Sequence, residues 1–297
     1  LQFTAPSTPR FFHQTPVTAF LRHLSDNNPD YEKYLCIDTP ESGRLNYQEG
    51  DYYRFSIFGF QGCDTLLQYL IEKLQQLPLS VKKTDKALAF KDNLKLISLQ
   101  DGFTTLPIQS VEQLSEYTER QLGEEVNLWQ DVLKKQPVLS LRWLSPARLK
   151  KQKTVLKKEA RYCHDQHDLS LELLLQRLHS GPSTFIRQKS IQKVIWELPP
   201  LPDVCFKQNH CYWVDNAYYN NQAKAKPIGG MLGLQVLEFK QPVSEAWLQI
   251  LILGQYLGVG ERRIFGLGRY VLELPSGEST YKRVFPAQPL PSEKNPG

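Results

Sequence analysis

The stretch GQYLGVGERRIFGLGRYVLE, residues 254–273, holds two Gly-x-Gly pairs, Gly258/Gly260 and Gly266/Gly268, with Arg262, Arg263 and Arg269 among and just after them. The residues leading into it, VSEAWLQILILGQYLG (243–258), read as a helix with Ser244 as its cap and Gly258 past its end. The residues leaving it, GRYVLEL (268–274), read as a strand. A dinucleotide fingerprint runs the other way, from a strand into a helix, and a P-loop needs a Gly-Lys-Ser/Thr that this loop lacks. A nucleotide-cofactor site is therefore a poor reading. Flexible backbone with fixed positive charge suits an extended polyanion: N–H groups approach phosphates closely and arginines add charge-assisted hydrogen bonds. The alternative is a tight helix-to-strand turn and nothing more. Four glycines with three arginines weigh toward nucleic acid.

Working outward, the second half of the chain repeats one order of elements. PVLSLRWLS (137–145) is a strand, LSLELLLQRLHS (169–180) a helix ending at Gly181-Pro182, and KVIWEL (193–198) a strand. HCYWVD (210–215) is a further strand or hairpin partner, and GGMLGLQVLEF (229–239) the strand before the last helix. The first half has the same layout. Residues 1–5 form a short strand, and Thr15 caps a helix with Pro16 at its first position. Val17, Phe20, Leu21 and Leu24 make that helix's apolar face. KYLCID (33–38) and DYYRFSIFGF (51–60) are strands, CDTLLQYLIEKLQQLP (63–78) a helix and NLKLISLQ (93–100) a strand. Residues 108–134 are expected to be helical. The fold class is α+β, with tandem ferredoxin-like (RRM-like, βαββαβ) domains. The expected division is 1–122 for the N-terminal domain, 123–285 for the C-terminal domain with the glycine-rich loop, and 286–297 as a proline-rich tail or linker.

Composition narrows the function classes. Apolar residues make up 41% of the 297, enough for real cores. The most apolar window, AWLQILILGQYL (246–257), is too short to span a membrane and carries two glutamines, so no membrane partner is expected. LQFTAPSTPR has no signal-peptide pattern, and the chain opens on Leu1 rather than Met, which leaves room for residues before it. A net charge of +5 is compatible with acidic partners such as nucleic acid. Five cysteines without Cys-x-x-Cys spacing read as reduced thiols in a cytoplasm.

The run WVDNAYYNNQAKAKPIGGMLGLQVLEF (213–239), followed by the helix and the loop, resembles the C-terminal half of CRISPR repeat-processing endoribonucleases of the RAMP superfamily. The resemblance rests on Gly258-x-Gly260 through Phe265-Gly266-Leu267-Gly268-Arg269-Tyr270, and on Ile228-Gly229-Gly230-x-x-Gly233 upstream. RFFHQTPVTAFLRHL (10–24) and DTPESGRLNYQEGDYYRFSIF (38–58) are most similar to the version fused ahead of a reverse transcriptase and the CRISPR integrase. The resemblance implies metal-independent cleavage of CRISPR precursor RNA within its repeats to make crRNA. The RNA's own 2′-OH attacks and leaves a 2′,3′-cyclic phosphate. It implies repeat RNA as partner, no cofactor, and a place beside or fused to a reverse transcriptase and integrase that acquire spacers. A non-cleaving crRNA-binding RAMP subunit is the alternative.

Such chemistry needs a base for the 2′-OH, an acid for the leaving oxygen and cations for the phosphate. Family members place a histidine at or near the first helix, which here means His13 or His23. His13 is preferred, because a position just before a helix N-terminus favours a neutral imidazole. Both also read as unremarkable histidines. Gly258, Gly260, Arg262, Arg263, Gly266, Gly268 and Arg269 are the expected RNA contacts, with Lys224 and Lys226 lining the same groove. The basic run RLKKQKTVLKKEAR (148–161) reads equally as phosphate contact or solvated face. Trp213, Tyr218 and Tyr219 are candidates for base stacking, with core packing the default. Cys163, His164, His167, Cys205, His210 and Cys211 fit no standard zinc spacing, so no metal is expected.

Overall fold

The computed structural model describes residues 1–9, 12–28, 31–40, 43–59, 62–77, 94–151, 161–187, 198–215, 217–219 and 225–274. The first half runs β1 (Gln2–Phe3), α1 (Gln14–Leu24), α2 (Tyr31–Tyr34), β2 (Leu35–Asp38), β3 (Ser56–Gly59), α3 (Asp64–Gln75), β4 (Leu94–Lys95). β1 pairs antiparallel with β4, and β2 with β3. The extended stretch before β3 lies against β1, with Phe3 N donating to Asp51 O at 2.8 Å and Tyr53 N to Leu1 O at 3.0 Å. The order is thus β4-β1-β3-β2, the ferredoxin-like order. Val17, Phe20, Leu21 and Leu24 of α1 and Leu66, Leu70 and Leu74 of α3 are buried in one core with Phe3, Leu35 and Ile37.

The second half runs α4 (Glu119–Lys135), β5 (Val138–Ala147), α5 (Leu171–Arg187), β6 (Val204–Val214), β7 (Ala217–Tyr219), β8 (Ala225–Pro227), β9 (Gly230–Phe239), α6 (Glu245–Leu257), β10 (Tyr270–Glu273). Its four-stranded sheet has the order β10-β5-β9-β6, again first strand beside last and third, and β7–β8 is a hairpin between β6 and β9. Period-two alternation sends Leu139, Leu141 and Trp143 of β5 inward, against Leu173, Leu174 and Leu178 of α5 and Trp247, Leu248 and Leu251 of α6. Gln235 is buried on that inner face, where its Oε1 accepts from Trp143 Nε1 at 3.1 Å. Without that bond an amide in a core costs free energy.

Several element boundaries differ from the sequence reading. Helix α1 starts two residues earlier: His13 is its N-cap, Thr15 lies inside the helix, and Val17 N donates to His13 O at 3.0 Å. Residues 108–134 are not one helix. Ser110-Gln113 closes a 3-10 turn, and α4 begins at Thr118, whose Oγ1 accepts from Gln121 N at 3.2 Å while Gln121 Oε1 accepts from Thr118 N at 2.8 Å. Helix α5 does not stop at Gly181-Pro182 but continues to Arg187. His179, next to last in the helix read from the sequence, is therefore two turns from its end. Strand β6 begins at Val204, six residues before HCYWVD. KVIWEL, apart from Leu198, and the tail 286–297 lie outside the described residues. No helix among them is long and apolar enough to cross a membrane.

Candidate nucleic-acid interface

The glycine-rich loop is seated where the two halves meet. All four of its glycines have positive φ: 67° at Gly258, 89° at Gly260, 70° at Gly266 and 72° at Gly268. At Gly268 the requirement is spatial as well, since an added Cβ would lie 1.8 Å from Val259 O. The loop folds back on itself there: Val259 N donates to Gly268 O at 2.9 Å, and Gly268 N to Pro146 O at 3.0 Å. Val259 and Leu267 are buried beneath. The glycines thus build a rigid, packed connection, and much of their N–H complement is spent inside the protein.

The loop's outer turn, Arg263–Phe265, rests on β2 and α1 of the first half. Gly266 approaches Ile37 and Gln14 so closely that a Cβ would meet them at 2.9 and 3.1 Å. Arg22, in the last turn of α1, sets its guanidinium 5.3 Å from the centre of the Phe265 ring. Cys36 Sγ donates to Leu257 O at 3.8 Å, and burial pushes that thiol up to about 11. Burial also pulls the Arg263 guanidinium below its ordinary value. Arg269 is buried: its guanidinium donates to Tyr256 O and lies 4.9 Å from the centre of the Phe58 ring. Of the three expected arginines, Arg262 and Arg263 stand at the partly open edge of the loop, while Arg269 joins the two halves.

The histidines part company. His13 is fully buried, its Nε2 2.8 Å from Arg44 O and its ring 5.5 Å from Tyr53 and 6.0 Å from Tyr47. A carbonyl accepts only, so Nε2 carries the proton and the lone pair is on Nδ1. Desolvation outweighs that hydrogen bond and holds its pKa below the ordinary value, so the imidazole is neutral. His23 is half-buried in the last turn of α1, next to Arg22. Tyr31, at the start of α2, is fully buried, and burial lifts its hydroxyl pKa well above the ordinary tyrosine range.

A second cluster adjoins the loop, and the basic run pointed toward it without resolving its parts. Lys150 and Arg161 both pair with Glu261, Arg161 at 3.7 Å, and the Tyr162 hydroxyl donates to the same carboxylate. The Tyr162 ring packs under Arg148, whose Cζ is 4.1 Å from its centre. His164 stacks on Trp213 with ring centres 4.1 Å apart. Residues 152–160 of the run and Lys224 lie outside the described residues. Lys226 is in β8 opposite Tyr218.

No protein-family model matches the chain, and neither does any curated protein. Solved structures do. The chain is similar to one described as a partial Cas6-RT-Cas1–Cas2 complex, at 30% identity and a TM-score of 0.74, over 97% of this chain and 48% of that one. A Cas6-RT-Cas1–Cas2 complex matches at the same identity and TM-score, over 30% of its chain. A Cas6 product complex shares the fold, with a TM-score of 0.52 at 12% identity over 92% of this chain and 97% of that one. The chain therefore spans about half, or less, of the longer chains it resembles at 30% identity.

Proposed function

We propose that this chain cleaves CRISPR repeat RNA, by attack of the RNA's own 2′-OH and without a metal ion, and that it does so as the Cas6-type portion of a reverse transcriptase–integrase system. The observation that carries the reading is the match over 97% of the chain at 30% identity to the Cas6-RT-Cas1–Cas2 structures. The seating of the glycine-rich loop between the two ferredoxin-like units supports it. Arg262 and Arg263 are proposed to hold phosphate, with Lys224 and Lys226 extending the same track. Gly258, Gly260, Gly266 and Gly268 set the loop's shape. Arg269, being buried, is proposed to act by fixing the loop against the first half.

For the proton transfers, His23 is proposed as the acting group. It is partly exposed beside Arg22, which already touches the loop through Phe265. His13 has the neutral form a base needs but is enclosed by Arg44, Tyr47 and Tyr53. It is proposed to position α1 instead. A general base is worth about 10²–10⁴-fold in rate. In single-turnover cleavage of cognate repeat RNA in EDTA, His23→Ala should lose that factor with RNA affinity nearly intact. A 2′-deoxynucleotide 5′ to the scissile phosphate should abolish cleavage by the parent. A strict need for Mg²⁺, or cleavage of the deoxy-substituted RNA, overturns the chemistry. A large loss in His13→Ala alone, with its fold intact, returns the role to His13. The enclosure of His13 also favours a second reading, a subunit that binds crRNA without cutting. Repeat RNA that is bound but left whole on a denaturing gel would establish it.

A further inference from the structure

We propose that the Glu261 carboxylate occupies a ready-made site for an RNA phosphate, and that RNA must displace it to bind. Glu261 is the one acid in the loop from Gly258 to Arg269. Three donors converge on it: Lys150 Nζ, Arg161 Nη2 and the Tyr162 hydroxyl. Tyr162 is 1% exposed and forms the closed end of the cradle. Lys150 and Arg161 are 44% and 45% exposed, so the cationic end opens to solvent. Arg161 also donates to the Tyr162 hydroxyl at 2.8 Å, which turns that hydroxyl's own proton toward the carboxylate.

The framework of this cradle does not depend on the carboxylate. Lys151 N donates to Arg161 O at 2.9 Å and Cys163 N to Leu149 O at 2.8 Å, so backbone bonds alone hold the two donor-bearing segments together. Glu261 N donates to Arg148 O at 3.1 Å, and Arg148 Nη1 to Gly229 O at 2.8 Å, which fixes the floor. A phosphodiester carries one negative charge over two non-bridging oxygens, the same charge and bite as a carboxylate. Partial burial opposes ionisation of Glu261, but its bonds to Lys150 and Tyr162 hold its pKa below the ordinary value, so the stand-in is charged at neutral pH. Partly exposed ion pairs contribute little to stability, so holding the fold together is a weak reason for this one. A tethered anion raises the threshold for stray polyanions, while an RNA offering several phosphates to the same face prevails over it.

The proposal rests on the RNA reading above for the identity of the polyanion, and two probes separate the failures. Glu261→Gln keeps the shape and removes the charge. With Lys150 and Arg161 released, it should bind both repeat RNA and poly(U) several-fold more tightly than the parent. The slope of log affinity against log salt should steepen by about 0.7–0.9, the equivalent of one phosphate contact. Lys150→Ala should cost more affinity in the Glu261→Gln background than in the parent. If Glu261→Gln does not fold, Glu261→Asp retracts the carboxylate by one methylene and should give part of the gain. Unchanged or weaker binding with an unchanged slope in the folded variant overturns the proposal and makes Glu261 a clasp for the loop. Equal affinity of the parent for repeat and unrelated RNA would instead count against repeat recognition, while the poly(U) comparison still decides the role of Glu261.

Discussion

At Gly268 two demands coincide, a φ of 72° and a Cβ position 1.8 Å from Val259 O. At Gly50 only the first applies, with φ 91° and nothing within 4 Å of a Cβ. Alanine at a left-handed position costs about 1–2 kcal/mol. Gly50→Ala should lose that much in urea unfolding, whereas Gly268→Ala adds a backbone clash and should lose several kcal/mol or fail to fold. Equal losses would mean that the loop relaxes and its glycines serve flexibility. His13 offers a second test. Its folded pKa lies below the ordinary 6.5 because of burial, so the unfolded chain binds the proton more readily. The stability this brings is complete above about 6.5 and is lost as pH falls through the lower folded value. His13→Gln should flatten the urea midpoint against pH over the acid side of neutrality. A slope equal to the parent's would place the titrating group elsewhere. Position before a helix told of a neutral imidazole but not of its enclosure, which comes from Tyr47 and Tyr53, more than thirty residues away.

Among the elements, those whose ends are set by local chemistry were the legible ones. Ser244 caps α6 as its sequence announced, with Oγ accepting from Trp247 N at 3.4 Å. The start of α4 was equally written in the chain, as the capping box Thr118-x-x-Gln121, and reading residues 108–134 as one periodic run passed over it. Thr118→Ala should therefore destabilise the protein by about 1 kcal/mol, seen as a lower urea midpoint with unchanged cooperativity; no change would mean that packing on α6 alone holds α4. The end of α5 was not legible. Pro182 removes the N–H that the Leu178 carbonyl would take in a regular helix, normally a cost of about 3 kcal/mol. The buried row Leu173, Leu174, Leu175 and Leu178 ties the helix to its sheet ahead of that proline, and the backbone stays helical beyond it. The order of strands followed from the repeated element order and the rules of the fold. The Glu261 cradle did not, because it joins residues 150, 161–162 and 261 through sheet geometry that no local pattern encodes.

At the scale of the molecule, two cores meet along a narrow seam. Val126, Trp129 and Leu133 of α4 belong to the second core. We propose that the units, expected as 1–122 and 123–285, divide just ahead of α4. Among the described residues the seam includes Cys36 on Leu257, Gly266 on Ile37, Arg22 on Phe265 and Arg269 between Tyr256 and Phe58. Arg269 is the buried charge among these contacts, and truncating it removes its bond to the Tyr256 carbonyl and its packing on Phe58 at once. All five tryptophans, at 129, 143, 196, 213 and 247, lie in the second half, so their fluorescence reports that half alone while far-UV circular dichroism reports both. In the parent, a seam that couples the cores should give coincident urea transitions by the two probes, the mark of two-state unfolding. In Arg269→Ala the transitions should separate, with the dichroism curve broadening and the tryptophan midpoint displaced from it. On the function proposed above, RNA cleavage should fall as well, since a loop loosened from the Phe58 strand would no longer hold phosphate in register with the proposed His23. Coincident transitions in the variant would show that the remaining contacts suffice to couple the halves, and full cleavage by it would remove the seam from the mechanism.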